Sequence, residues 1–363
     1  LTFIRFWAHH NAFSCPSNLS AAKNSLSRTI SSLAPRYTLQ GARWDYRILR
    51  PIMGDNTHIS TVFKAEVIPR KNGENTSKTP QWAVIKVASP GDTVAKENMD
   101  RECQTYRLPG VNSADCFREM YDVLESSTIA LEWLDTTLAE VKYQAHLHIY
   151  SLIAAALRAA LTSCIVLEGH QRVNTDFKPA NILLSGIETG LITAKVGDLG
   201  LVVSGGSLSN AQPYAMRAPE VFLGQACTEP SQVWAVATML LCWIKPGILG
   251  AWDSPHPLIN EAWCMAKIKR LFPHWRIPTP NEVTRYALEA AVKSANYFSK
   301  DMPELQVILP FDKEIQKVEI PQQLRDLLRF MLVVNPVDRP SPSSVLASRE
   351  FRSFEKLVES SCL

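Results

Sequence analysis

Neither a CxxC pair nor any other metal-ligand spacing occurs in this chain, whose eight cysteines are scattered singly between Cys15 and Cys362. That scatter argues against a zinc site or a disulfide framework and suits buried thiols in a reducing compartment. Long apolar runs are lacking too. The longest, Val233 to Ile244, falls short of the about 20 residues that a bilayer-spanning helix needs, so it reads as a buried helix and no membrane contact is expected. Charge of one sign is not in excess: 38 basic against 35 acidic residues leave a net +3, which gives no reason to expect nucleic acid. No internal repeat is present. At 363 residues, 46% of them hydrophobic and 20% charged, the chain has the length for two lobes, each with its own core.

Acidic residues are absent before Asp45, whereas Arg5, Lys23, Arg28, Arg36 and Arg43 stand among many serines. Residues 1–44 are therefore set apart as a basic, Ser-rich, disordered leader, although the same composition resembles a mitochondrial transit peptide. From Tyr46 the pattern changes. The runs "YRILRPI", "STVFKAEVI" and "QWAVIKVA" are β-branched or aromatic-rich and separated by turn-forming stretches such as "RKNGEN", which predicts antiparallel strands. The run "TVAKENMDRECQTYRL" has helical spacing, and "STIALEWL" reads as a further strand. After Leu134 helices dominate. Leu147, Tyr150, Ile153, Leu157 and Leu161 recur close to a 3.6-residue period, the mark of a core-facing helix. Short strands are expected at Ile182–Leu184 and Ala194–Val196. The expected architecture is α+β: a small antiparallel-sheet lobe over 45–134, a linker near Trp133–Thr136, and a larger helical lobe over 135–358.

Three separated pieces carry groups suited to phosphoryl transfer, which needs an oriented nucleophile, metal across the phosphates and fixed positive charge. Lys86 in the strand "AVIKVA" can hold phosphates if a carboxylate holds the lysine. Glu102 in the following helix is the natural partner and Glu97 the alternative. In "VNTDFKPANILL", Asp176 can orient a substrate hydroxyl, Lys178 can neutralise charge on the transferred phosphoryl, and Asn181 offers an amide oxygen to Mg2+. In "AKVGDLGLV", Asp198 follows a short strand and precedes Gly200, a place from which its carboxylate can chelate the metal.

Lys86, Glu102, Asp176 to Asn181, Asp198 to Gly200 and "RAPE" at Arg217 to Glu220 resemble, in order and spacing, the eukaryotic protein kinases. The resemblance extends over about residues 45 to 355. Within that superfamily, Thr175 before the aspartate and DLG at Asp198 resemble the serine/arginine-rich splicing-factor protein kinases and their fungal relatives. It implies a bilobal protein-kinase-like fold, ATP and Mg2+ as cofactors, and a protein serine or threonine as acceptor, in an arginine/serine-rich substrate. It also implies a monomer in the cytoplasm or nucleus, the leader leaving the mitochondrion as the alternative. By the same resemblance Asp176 and Lys178 are catalytic, and Asn181 and Asp198 hold metal. Lys86, Glu102, Gly54, Val62, Glu132 and Leu134 contact nucleotide, and Arg339 in "NPVDRPS" pairs with Glu220. Thr175, where an arginine usually reads an activation-loop phosphate, implies activity without that phosphate.

Four positions depart from the pattern. The phosphate-covering loop "MGDNTHISTV" keeps only Gly54 and carries Asp55, while Ser60 and Val62 still fit its end. Asn174 stands in place of a histidine, Gln232 in place of an aspartate on the long central helix, and Pro213 in place of a threonine. None of these removes a group that touches metal or phosphate in the family mechanism. Two functions therefore remain open, an active serine/threonine kinase and a pseudokinase acting as a nucleotide- or protein-binding module.

Overall fold

A computed structural model of the chain describes residues 35–52, 60–70, 79–125, 127–207, 212–283 and 286–360. Gly54, Asp55, Ser209 and most of the leader lie outside the described residues.

The first lobe is a six-stranded antiparallel sheet in the order β1-β2-β3-β4-β6-β5, made of β1 (Thr38–Gln40), β2 (Asp45–Ile52), β3 (Ser60–Ile68), β4 (Trp82–Ala88), β5 (Met120–Glu125) and β6 (Thr128–Glu132). The sheet therefore begins inside the stretch set apart as leader: β1 pairs with β2 through Thr38–Arg47 and Leu39–Tyr46. Gly41 in the connecting turn has no room for a side chain. A Cβ there would lie 2.5 Å from Asp122 Oδ2 and 2.6 Å from the Trp44 carbonyl. Asp122 gathers the Ala42 and Arg43 N–H groups and, at 2.5 Å, the Tyr46 hydroxyl.

Strand alternation divides the lobe into two faces. Ala83, Ile85 and Val87 of β4 join Tyr46, Ile48 and Phe63 in an outer apolar cluster. Val84 and Ala88 point the other way, toward helix α1 (Thr93–Tyr106), and Lys86 shares their parity. Asp92 caps α1 through Oδ1, which accepts from Ala95 N at 2.9 Å. Ala95, Met99, Glu102, Cys103 and Tyr106 form the buried stripe of α1, so a carboxylate sits on an otherwise apolar face.

The second lobe is built on α2 (Leu147–Glu168) and α4 (Glu229–Ile244), with α3 (Pro219–Phe222), α5 (Asn260–Leu271), α6 (Tyr286–Asp301), α7 (Pro303–Gln306), α8 (Phe311–Gln316), α9 (Gln322–Met331), α10 (Pro342–Leu346) and α11 (Arg349–Glu359) around them. Length and composition alone would let α2 cross a membrane. Here Leu152, Ile153, Leu157, Leu161 and Leu167 are instead buried in the large core cluster that unites both lobes. Two small sheets lie at the lobe junction. One is β7 (Thr136–Thr137), β9 (Ile182–Ser185) and β10 (Thr193–Val196), in the order β10-β9-β7. The other pairs β8 (Arg172–Asn174) with β11 (Val202–Ser204). The expected linker thus ends in a strand, because Thr136 and Thr137 pair with Leu184 and Leu183.

Candidate active site

Lys86 stands in the middle of β4, paired across the sheet with Val62 on one side and Ile129 on the other. Its Nζ donates to Glu102 Oε2 at 2.7 Å and to Asp198 Oδ1 at 2.9 Å. Burial opposes the ammonium charge, but the Asp198 and Glu102 carboxylates outweigh it and hold Lys86 above its ordinary value. Burial pushes Glu102 up, with the Lys86 ammonium opposing. The structure selects Glu102 over Glu97, which is exposed. Glu102 Oε1 also accepts from Leu199 N at 3.4 Å, so a single carboxylate joins β4, α1 and the DLG turn.

The catalytic-loop candidates follow β8. Asp176 is buried. Its Oδ2 lies 3.3 Å from Lys178 Nζ and accepts from Asn181 Nδ2 at 2.8 Å. The same Nδ2 donates to the Asp176 carbonyl at 2.8 Å. With the amide nitrogen so engaged, Oδ1 is the Asn181 atom suited to a cation. Burial raises the Asp176 carboxyl, Lys178 opposes this, and the Asp198 charge adds to it. The short Thr175 hydroxyl donates to the Leu201 carbonyl at 2.8 Å, tying the loop to the turn that precedes β11.

Asn174 and Gln232 are both fully buried. Gln232 Oε1 accepts from Asn174 N at 2.7 Å, and Asn174 Oδ1 accepts from Asp176 N at 2.9 Å. Each amide thus uses its oxygen to hold the loop. The nitrogens are different: Asn174 Nδ2 and Gln232 Nε2 are buried without an acceptor, a cost of about 1–3 kcal/mol each.

Asp198 has a left-handed backbone, φ 52° and ψ 78°, which turns its side chain back toward Lys86 and the Gly200 N–H. Gly197 N donates to the Asn181 carbonyl at 2.9 Å, setting Asp198 one residue from the Asn181 backbone. Hard oxygen donors, one carboxylate and one amide, suit a Mg2+ held mainly by phosphates and water. The mutual repulsion of Asp176 and Asp198 is a charge that a cation would relieve. Asn181 and Asp198 therefore fit the metal.

Val62 is half-buried and packed on the large core cluster, and Leu134 is buried. Glu132 is less open than the sequence implies. Its carboxylate is held by Lys195 Nζ at 2.8 and 2.9 Å and by Glu119 N at 3.0 Å, and its carbonyl accepts from Arg118 Nε at 2.7 Å. Arg118 and Lys195 carried no signal in the sequence, since only the fold brings β5, β6 and β10 together. Gly54 lies outside the described residues.

Arg339 holds Glu220 in a bidentate pair at 2.8 and 3.0 Å, fully enclosed. Ser231 Oγ adds a third bond to Glu220 at 2.7 Å. Beside Pro213, which offers no hydroxyl, Gln212 does the anchoring. Its Nε2 donates to the Ser231 carbonyl at 2.9 Å, its Oε1 accepts from Ala218 N at 3.0 Å, and its own carbonyl accepts from Arg217 Nε and Nη2. These bonds offset a left-handed φ of 72°, which costs a non-glycine residue about 1–3 kcal/mol.

No family model matches the chain. Over 187 residues it is 27% identical to the stress-activated protein kinase JNK of Drosophila melanogaster, a match that covers 48% of this chain and 46% of the relative. The chain thus spans about half the length of that curated relative. The similarity supports the protein-kinase superfamily. The six-stranded curled sheet and helical second part are consistent with the bilobal kinase fold.

Proposed function

We propose that the chain is an ATP-dependent protein serine/threonine kinase, transferring the γ-phosphate of Mg·ATP to a protein hydroxyl. The observation that carries this reading is Lys86 Nζ held between Glu102 and Asp198 at 2.7 and 2.9 Å. That arrangement fixes a cation and a metal-ligand carboxylate in one place before any nucleotide arrives, the preorganisation on which phosphoryl transfer depends.

Asp176 accepts the hydrogen bond of the acceptor hydroxyl and orients it in line. Its raised affinity for protons, caused first by burial, suits it to take the hydroxyl proton. Lys178, 3.3 Å from that carboxylate, places positive charge where the transferred phosphoryl gains negative charge. Asn181 and Asp198 would hold Mg2+, which would supply positive charge to offset that of the phosphates. An arginine/serine-rich protein is the substrate class that the family resemblance implies, and we propose a monomer acting in the cytoplasm or nucleus.

A pseudokinase is the second reading. What favours it is the pair of buried, unpartnered amides Asn174 Nδ2 and Gln232 Nε2 directly behind Asp176, which weakens the support of the loop. The test is phosphate transfer from Mg·ATP by the purified full chain to a panel of basic and arginine/serine peptides, beside an Asp198→Ala variant. Transfer that vanishes in the variant supports the kinase. No transfer, together with no thermal stabilisation by Mg·ATP, overturns it in favour of the pseudokinase.

A further inference from the structure

Lys64 lies on β3 two residues after Val62, so the two side chains share one face of the sheet, opposite to the outer cluster that takes Phe63 and Ala65. Directly across from Lys64 stand Val84 of β4 and Arg50 of β2. A like charge directly opposite is destabilising, so the sheet itself gains nothing from a lysine at this position. Among the described residues, no carboxylate lies at ion-pair distance from its ammonium. Glu66, next along the same face, already accepts from Arg47 Nε at 2.9 Å. The ammonium instead sits between two indole rings, with Nζ 4.0 Å from the Trp133 ring centroid and 4.5 Å from that of Trp82. All three residues are half-buried. Trp82 opens β4, and Trp133 is the first residue past β6, in the linker between the lobes. Trp133 also packs on the core that unites both lobes.

We propose that Lys64 is a positioning residue: clasped between Trp82 and Trp133, it ties the interlobe linker to β3 and so sets how tightly the cleft holds a nucleotide base. Ring quadrupoles attract a cation more strongly as water is excluded, and the half-buried box meets that condition in part. A partly buried contact is also screened by salt much less than an exposed ion pair. The lever is short. Val62 sits two residues before Lys64, and Leu134 directly follows Trp133. These are two of the nucleotide contacts that the kinase resemblance implies, so the clasp fixes the spacing between them. Losing it frees the linker from β3. The bonds among Lys86, Glu102 and Asp198 come from β4, α1 and the DLG turn, and do not depend on the clasp. The effect on nucleotide rests on the kinase reading; the clasp itself does not.

The test compares the full chain with Lys64→Met, which keeps the apolar stem and removes the charge, and with Lys64→Arg, whose guanidinium also stacks on aromatic rings. In Lys64→Met, Mg·ATP should bind about 5-fold more weakly by isothermal titration calorimetry, the scale of one cation–π contact. KM for ATP should rise by a similar factor with kcat unchanged, and Lys64→Arg should restore the parent affinity. Hydrogen exchange of the linker Trp133–Thr136, measured without nucleotide, should speed up in Lys64→Met and slow again in Lys64→Arg. Lys64→Gln serves in the same comparison if the methionine variant fails to fold. Unchanged Mg·ATP affinity in Lys64→Met, or faster linker exchange that Lys64→Arg does not restore, overturns the proposal. If the parent chain itself binds no Mg·ATP, the kinase reading fails, and unchanged linker exchange in Lys64→Met still overturns the clasp.

Discussion

Asn174 N donates to Gln232 Oε1 at 2.7 Å, and the two side chains that make this joint each leave a buried amide nitrogen without an acceptor. The backbone ahead of the catalytic candidate Asp176 is therefore tethered to α4 through the Gln232 side-chain oxygen. Gln232→Glu replaces the unpartnered amino group with a second acceptor oxygen at nearly the same volume. Chemical denaturation at pH 8 should show a stabilisation of about 1 kcal/mol, the worth of a better-satisfied buried bond. A destabilised variant would show that burying the charge outweighs the relieved nitrogen.

On the other side of the joint, Asn174→Ala removes the acceptor of Asp176 N. The orphaned N–H should cost about 1–3 kcal/mol in stability. Because Asp176 loses its backbone support, kcat should fall more than KM rises, measured by steady-state transfer.

Lys86 stands between two carboxylates that pull from different elements. Lys86→Met should lower transfer by about 10²–10³, the scale seen when one preorganised charge-stabilising donor is lost. It should also destabilise the fold, since Glu102 is left buried without its partner. Adding Glu102→Gln should recover part of that stability without recovering transfer. Equal, additive losses in the double variant would deny that the two residues act as a pair.

The Arg339–Glu220 pair is enclosed, with side-chain exposures of 0% and 4%. Arg339→Leu strands the Glu220 carboxylate and should cost about 3–5 kcal/mol. The double variant Arg339→Leu with Glu220→Leu should cost clearly less than the two single variants summed, as read from denaturation midpoints.

Glu229 supplies a pH test. Burial, then the neighbouring Glu168 carboxyl, raises it from 4.5 to about 7. The folded state therefore binds an extra proton between those values. Its contribution is fully present below about pH 4.5 and is lost as pH rises through about 7. Glu229→Gln, which resembles the protonated form, should leave stability unchanged near pH 4.5 and raise it at pH 8. A variant with the same pH slope as the parent would remove Glu229 as the cause.

Much of the frame was legible because its determinants are local. The alternation in "STVFKAEVI" and "QWAVIKVA" became β3 and β4, and the 3.6-residue period from Leu147 became α2. β1, β5, β7, β8 and β11 went unread. All but β5 are two or three residues long, too short to show a period, and exist only because distant partners complete their hydrogen bonds; β5 is six residues long, but register shifts at Met120/Asp122 and Val123/Glu125 break its alternation. The leader boundary moved for the same reason, since β1 is a strand by virtue of β2.

The sequence by itself determined the order and spacing of Lys86, Glu102, Asp176, Asn181 and Asp198, and with them the chemistry the chain can hold. Only the tertiary structure decided which groups meet. It chose Glu102 over Glu97 and engaged Glu132 with Arg118 and Lys195. It left two amide nitrogens unpartnered behind Asp176 and set Lys64 between Trp82 and Trp133. Those outcomes depend on pairs as far apart as Lys86 and Asp198, separated by 112 positions. A hydrogen bond is decided by distance and direction after folding, and local periodicity carries no record of either.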